Sequence, residues 1–240
     1  MIRDFFTIIA LLVIFIGGLP LLLMCLIIGL FSKKAQRIVT MHIVRVAAKI
    51  VLFTAGEKVE VIGLEKVPTD RAMVFVGNHN SIFDIPTFYA YMPVPAGFIA
   101  KKEVGRIPIL NLWMYCMGCI YIDRSSPRKG KKAIDKGIER IKAGESVFVF
   151  PEGTRSKNGE MRPFKPGCLR LAEKTGCPII PVAMTNTGTI FEGNHYKLHK
   201  VHCKLIFGDP IFQEEIPTEN KRECAEYVRS KVQALLDEHA

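Results

Sequence analysis

A run of 27 residues without a charge, residues 5–31, constrains this chain more than any other feature. At ~1.5 Å per residue, a helix over this run would cover roughly 40 Å, more than the ~30 Å hydrocarbon core of a bilayer. A cleaved signal peptide is disfavoured, because its apolar core would be only ~7–15 residues long and would end in a small-residue cleavage site. We therefore predict that residues 1–55 form an N-terminal membrane-anchoring helical region.

Two arrangements of this run are open. Gly17, Gly18 and Pro20 interrupt it near its middle, so it forms either a kinked spanning helix or a re-entrant hairpin, and we favour the span. The Lys and Arg residues that follow the run place the rest of the chain on the cytoplasmic side. Residues 41–53 predict an interfacial amphipathic helix, with a helix packed on the following domain as the alternative.

The composition favours lipid partners. A net charge of +10 together with 49% hydrophobic residues suits a chain on an anionic surface or one that binds anionic ligands. Nucleic acid is not expected as a partner, since no zinc-finger, RNP or basic-heptad pattern occurs. The seven scattered cysteines indicate a reducing compartment, and we predict that the CxxC pair Cys116 and Cys119 packs in the core.

Short β-branched runs alternate with helical patterns after Gly56. This alternation predicts an α/β domain over residues 56–240, with a mixed, partly parallel sheet flanked by helices. The strand candidates are residues 58–62, 73–76, 97–100, 147–150, 179–184 and 203–207, with a further strand-like run at 118–124. Helices are expected before Gly144, before Gly176 and from about Glu219 to Leu236.

Polar residues crowd the end of the strand at 73–76. His79 and Asp84 are five residues apart, which on one continuous helix would separate them by ~140°. A loop leading into a helix is needed instead, and Pro86 in the first helical turn predicts one, with Asp84 as its cap. The carboxylate would then orient one nitrogen of His79 and leave the other to accept a proton. Ser81 lacks a GxSxG elbow, so the nucleophile is expected to be the substrate's own hydroxyl.

Cations follow the other strand candidates. Lys101 and Lys102 follow the run at 97–100, Arg124 ends the run at 118–124, and Arg155 follows the strand at 147–150. Gly153 lets backbone N–H groups approach a ligand, and the planar fork of Arg155 matches phosphate oxygens. A general base beside several cations suits a substrate that carries a phosphate.

These residues also carry a resemblance. The segments NHNSIFD (78–84), GCIYIDR (118–124), FPEGTRS (150–156) and IIPVAM (179–184) resemble the four ordered blocks of the glycerolipid acyltransferase family. The match is nearest to the 1-acyl-sn-glycerol-3-phosphate (lysophosphatidic acid) acyltransferase branch. The resemblance implies that His79 is the base, that Asp84 orients it and that Pro181 belongs to the fourth block. Substrate-binding residues implied by the match are Lys101, Arg124, Glu152, Gly153, Thr154 and Arg155.

The resemblance implies acyl transfer without a covalent intermediate, from acyl-CoA or acyl carrier protein to the sn-2 hydroxyl of lysophosphatidic acid, which yields phosphatidic acid. No cofactor is expected beyond this co-substrate. No metal is expected either, since His195, His199 and His202 lack a completing ligand at zinc spacing. Three alternatives stay open: an acyltransferase for glycerol 3-phosphate or another lysophospholipid, a non-catalytic lipid-binding membrane protein, and a metal-dependent hydrolase.

Overall fold

A seven-stranded mixed sheet forms the centre of the structure, a computed structural model that describes residues 2–156, 159–216 and 221–239. Its spatial order is β1-β7-β6-β2-β5-β3-β4. All neighbouring strands are parallel except β6 and β7, which are antiparallel. The strands are β1 Glu57–Ile62, β2 Val74–Gly77, β3 Ala96–Lys101, β4 Ile120–Ile122, β5 Ser146–Val149, β6 Ile179–Thr185 and β7 Val201–Phe207.

Eight α-helices accompany the sheet in the described residues. They are α1 Ile2–Leu12, α2 Leu19–Phe31, α3 Lys33–Ala55, α4 Asp84–Tyr91, α5 Leu110–Cys116, α6 Pro127–Lys142, α7 Arg170–Thr175 and α8 Lys221–Glu238. The π-helical turn Val13–Gly17 separates α1 from α2. The fold class predicted from the alternation of strands and helices is confirmed.

Both faces of the sheet are buried, as expected for the central strands of a mostly parallel sheet. On β2, Phe75 points into one core, while Val74 and Val76 point into the other. Helices α3 and α4 cover the first face, and α6, α7 and α8 cover the second. Because every inner strand is held from both sides, the loops at its ends start from fixed positions.

The local patterns identify most elements correctly. Each strand candidate overlaps an observed strand, and the run at 118–124 contains β4. Helices α6 and α7 stop where expected, with Gly144 and Gly176 in the left-handed region at φ 82° and 68°. Cys116 and Cys119 are both buried, as predicted. The predicted start of the last helix at Glu219 lies outside the described residues.

The uncharged run is kinked at the glycines. Helices α1 and α2 meet at a bend of 44°, with the π turn and Gly18 at the break and Pro20 in the first turn of α2. By length and composition this bent pair could serve as one membrane span, and α3 by itself meets the same criterion. The choice between a span and a re-entrant arrangement stays a prediction.

Helix α3 packs on the domain, which is the alternative considered for residues 41–53. Met41, Ala48 and Leu52 join the first core, whereas Val46 and Phe53 on the other side of α3 are exposed. The helix therefore has two apolar sides, one against the sheet and one facing outward. The division of the chain at residue 55 stays a prediction.

Two buried polar residues fasten α3 to α2 and α5. The Gln36 amide donates to the Cys25 carbonyl at 2.9 Å, and the absence of a side chain on Gly29 leaves room for it. The Arg37 guanidinium donates to the carbonyls of Tyr115 and Cys116, at 2.8 and 2.6 Å, and pairs with Glu145 at 3.3 Å. Arg37 thus gives the Cys116 carbonyl a donor at the end of α5 and adds a second donor to the Tyr115 carbonyl, which also accepts the Gly118 N–H at 3.0 Å.

We expect Arg37→Ala to lower the free energy of unfolding by about 2–4 kcal/mol, because it leaves the Cys116 carbonyl without this donor and removes one partner of a mostly buried ion pair. Thermal unfolding of the detergent-solubilised protein measures the change, with the exposed Lys34→Ala as the control. An equal effect of the two substitutions would contradict this role of Arg37.

Candidate active site

The loops that follow five parallel strands meet at one edge of the sheet. Strands β2, β3, β4, β5 and β6 all run in the same direction, so their carboxyl ends lie together. The predicted site residues follow four of these strands, and β2 is flanked by β5 and β6. Segments that are distant in the sequence therefore converge around the loop after β2.

His79 and Asp84 are in direct contact. The Nδ1 of His79 lies 2.7 Å from Oδ2 of Asp84, whose side chain is fully buried, while 17% of the His79 side chain is exposed. The imidazole also stacks on the Phe150 ring, with a centroid distance of 4.0 Å. The ring is thus held by its face and by one nitrogen. Nε2 makes no hydrogen bond to the part of the chain that the structure describes.

The Asp84 carboxylate organises the whole loop. Oδ2 also accepts the backbone N–H groups of Asn80 and Ser81, at 2.7 and 2.9 Å, and Oδ1 accepts the Thr187 hydroxyl. The prediction that Asp84 caps the helix is wrong in detail, because Asp84 is the first residue of α4. Its carboxylate turns back toward the loop and the imidazole instead of accepting N–H groups of the helix.

Glu152 fixes the backbone at His79. Its carboxylate accepts the N–H of His79 at 2.7 Å and the N–H of Arg162 at 2.9 Å, and the residue is buried. Burial raises the pKa of Glu152, although these two hydrogen bonds lower it. The Ser156 N–H donates to the His79 carbonyl at 2.7 Å. Both backbone groups of His79 are thus bound by the segment after β5.

The predicted cations lie on neighbouring loops, and each has a protein partner. Arg124 donates to the carbonyl of Gly153, which is in the left-handed region at φ 77°, and Arg155 pairs with Glu192. Lys101 lies 3.7 Å from Glu103. Its neighbour Lys102 pairs with Asp123 at 2.8 Å, and Thr154 is exposed beside Arg155. The roles of these residues in binding a substrate stay predictions.

Sequence reasoning missed Thr187 and Glu192. Thr187 follows the fourth segment and supports Asp84, whereas Glu192 binds both the His79 loop and Arg155. Both residues lie beyond β6, more than 100 positions from Asp84 in the sequence. Their only sequence signal is that they follow a strand whose end reaches the site.

No group of three or more His, Cys, Asp or Glu residues able to hold a metal occurs in residues 2–156, 159–216 and 221–239. His195, His199 and His202 are all exposed. The expectation that no metal is used stays a prediction.

The arrangement suits removal of a proton from a hydroxyl. A neutral imidazole whose Nδ1–H is held by a buried carboxylate offers Nε2 as the proton acceptor. The surrounding cations favour a substrate that carries negative charge. Ser81 is fully buried and donates its hydroxyl to Glu192 at 2.6 Å, so it is not poised as a nucleophile.

A third buried carboxylate, that of Glu57, lies beneath α4. Glu57, at the start of β1, is buried and accepts the Thr87 hydroxyl at 2.7 Å, one turn after Asp84. Burial raises the pKa of Glu57 from 4.5 to about 7, and the hydrogen bonds from Thr87 and Cys203 offset only part of this rise.

The acyltransferase family model matches residues 58–185. The 1-acyl-sn-glycerol-3-phosphate acyltransferase of Borreliella burgdorferi is 37% identical over 150 residues, covering 62% of this chain and 60% of that protein. The protein of the same name from Haemophilus influenzae is 30% identical over 189 residues, covering 76% of each chain.

Matches to chloroplastic relatives from Brassica napus and Arabidopsis thaliana cover 45% and 44% of those proteins. The match to the Borreliella protein covers 60% of that protein. The chain therefore spans less than two thirds of the length of each of these three relatives. The crystal structure of the 1-acyl-sn-glycerophosphate (LPA) acyltransferase from Thermotoga maritima superposes with a TM-score of 0.82 at 25% identity. That match covers 99% of this chain and 95% of the other.

Glu57→Gln should stabilise the protein more at pH 8 than at pH 5. Below about pH 4.5 the Glu57 carboxyl is protonated in both the folded and the unfolded chain. Between about pH 4.5 and pH 7 it ionises in the unfolded chain but stays largely protonated in the folded chain. The free energy of unfolding of the wild type therefore falls over this range. This loss of unfolding free energy is at most about 3 kcal/mol, and Gln at position 57 avoids it because an amide does not ionise. Unfolding temperatures measured from pH 5 to 8 test this, with the exposed Glu60→Gln as the control. A difference between wild type and Glu57→Gln that does not grow with pH would contradict it.

Proposed function

Because the chain belongs to the acyltransferase family, we propose that it transfers a fatty acyl group to the sn-2 hydroxyl of lysophosphatidic acid, forming phosphatidic acid in phospholipid synthesis. The observation that carries the proposal is the 2.7 Å contact between His79 and the buried Asp84, at the sheet edge where Arg124 and Arg155 also lie. Relatives that bear the name of this activity are 37% identical to this chain over 150 residues and 30% identical over 189 residues.

The proposed reaction is a direct transfer. Nε2 of His79 takes the proton of the sn-2 hydroxyl while the oxygen attacks the thioester carbonyl. The new C–O bond gives a tetrahedral oxyanion, and the C–S bond then breaks. The imidazolium returns its proton to the departing thiolate, so the enzyme ends in its starting state. The engaged hydroxyl of Ser81 supports a mechanism without an acyl-enzyme.

The donor is an acyl thioester, either acyl-CoA or acyl carrier protein, and the reaction needs no cofactor or metal in this mechanism. Lys101, Arg124, Gly153, Thr154 and Arg155 are proposed to surround the phosphate of the acceptor. A guanidinium matches phosphate geometry through paired N–H donors, and a lysine contributes a point charge.

The apolar N-terminal helices are proposed to hold this site at a membrane. Ile2, Leu30 and Phe31 are exposed by 75%, 81% and 86%, which favours contact with lipid over water. The acceptor and the product both reside in a bilayer, so attachment gives the site a high local concentration of substrate. The Lys residues after α2 favour a catalytic domain on the cytoplasmic side.

A product analysis separates this function from its alternatives. The purified protein in phospholipid vesicles is offered lysophosphatidic acid, glycerol 3-phosphate, lysophosphatidylcholine and lysophosphatidylethanolamine, each with acyl-CoA or acyl carrier protein. Mass spectrometry then identifies the acylated products. We expect phosphatidic acid as the main product. Preferred acylation of another acceptor would shift the assignment to a sister activity, and binding without any product would favour a lipid-binding protein.

His79→Ala should reduce kcat by at least about 100-fold, since a positioned general base contributes roughly 10²–10⁴-fold. The assay measures release of free thiol with lysophosphatidic acid as acceptor. The unfolding temperature is measured in parallel to show that the variant is folded. Turnover near the wild-type rate in a folded variant would end the proposal for His79.

Two substitutions test separately the contact of Asp84 with His79 and the hydrogen bond from Thr187 to Asp84. Asp84→Asn should approach the loss of His79→Ala, because an amide donating to Nδ1 favours the tautomer in which Nε2 carries the proton. Thr187→Val removes only one hydrogen bond to the carboxylate, so we expect a reduction of about tenfold in kcat. An unchanged rate in Asp84→Asn would limit Asp84 to a structural role at the start of α4.

A further inference from the structure

Glu192 connects the two loops that carry the base and the arginine. It begins the short turn Glu192–Asn194 after β6 and lies outside the four family-like segments. Its Oε2 accepts the Ser81 hydroxyl at 2.6 Å, and its Oε1 accepts the Ile82 N–H at 2.9 Å. Oε1 also binds Nη1 of Arg155. One carboxylate thus joins the loop between His79 and Asp84 to the loop after β5.

The Glu192 carboxylate is firmly placed. Its side chain is 19% exposed, and its two partners on the His79 loop are a backbone group and a short serine side chain. Burial alone would raise the pKa of Glu192, but the hydrogen bonds from Ser81, Ile82 and Arg155 outweigh it and leave the pKa below its ordinary value. The group is therefore an anion at neutral pH, with a fixed position relative to Ser81.

Arg155 is the more exposed partner in this pair. Half of its side chain is exposed, and a long exposed arginine pays an entropic cost to adopt one direction. A guanidinium carries five N–H donors in one plane. Contact of Nη1 with Glu192 restricts the position of the guanidinium, and the donors on Nε and Nη2 can serve a second anion.

We propose that Glu192 is a positioning residue that sets the His79 loop for proton transfer and aims Arg155 at the phosphate of the acceptor. The inference rests on the function proposed above. It assigns two separable effects to one carboxylate. The bonds to Ser81 and Ile82 act on kcat through the base, and the pairing with Arg155 acts on KM through the phosphate.

Two substitutions at position 192 separate these effects. In Glu192→Gln the amide can still accept the Ile82 N–H and donate to Ser81, so the loop keeps its bonds while the charge on Arg155 is no longer matched. Glu192→Ala loses both the hydrogen bonds to the His79 loop and the charge that pairs with Arg155. We expect Glu192→Ala to lower kcat about tenfold and to raise KM for lysophosphatidic acid about tenfold, the usual scale for losing hydrogen bonds to a charged group. Glu192→Gln should recover kcat to within about threefold of wild type and keep most of the raised KM.

Double substitution tests the route through Arg155. Arg155→Ala alone should raise KM for lysophosphatidic acid, and adding Glu192→Ala should raise it little further, because the second residue acts through the first. The control Glu173→Ala removes an exposed glutamate of α7 that faces Lys174, and it should leave kcat and KM unchanged. Unfolding temperatures are recorded for every variant. If Glu192→Ala does not fold, the test rests on Glu192→Gln, for which a raised KM supports the inference and an unchanged KM contradicts it.

The outcomes distinguish the inference from the function it rests on. Kinetic constants of Glu192→Ala within twofold of wild type would overturn the inference, as would equal kcat losses in Glu192→Ala and Glu192→Gln. A further large rise of KM in the double variant would also overturn it. Failure of both wild type and Glu173→Ala to acylate lysophosphatidic acid would overturn the proposed function, and the inference with it.

Discussion

The carboxylate of Asp84 receives four hydrogen bonds in a space closed to solvent, and the geometry of the site depends on them. They come from the imidazole of His79, two loop N–H groups and the Thr187 hydroxyl. A buried anion is costly unless donors surround it, so the loop has little freedom to adopt another shape. The same bonds that stabilise the carboxylate therefore fix the direction of the His79 imidazole.

The sheet gives this loop its neighbours. Strand β2 lies between β5 and β6, and the residues after these three strands reach one another across the sheet edge. The segment after β5 provides Phe150 against the face of the imidazole and Glu152 against its backbone. The segment after β6 provides Thr187 and Glu192. Each segment thus contributes a contact that the loop after β2 cannot make for itself.

Much of this arrangement could be predicted from the sequence, because buried strands and helix stops leave local signals. The runs around Val74 and Phe148 and the left-handed Gly144 and Gly176 are of this kind. The contact of His79 with Asp84 was also within reach, since both residues lie in one short loop. Thr187, Glu192 and Arg37 were not, because their partners lie 37 to 111 positions away and no local pattern encodes such contacts.

Helix α3 belongs to two surroundings at once, with Met41, Ala48 and Leu52 in the core and Val46 and Phe53 facing outward. Helix α3 precedes β1 in the chain and follows the apolar run directly, so the helix that covers the first face of the sheet is also continuous with the apolar helices. A displacement of the apolar helices would therefore act directly on the packing of the first core. A form of the protein cut at residue 55 would lack α3 and would expose to solvent the apolar residues of the first core that α3 covers.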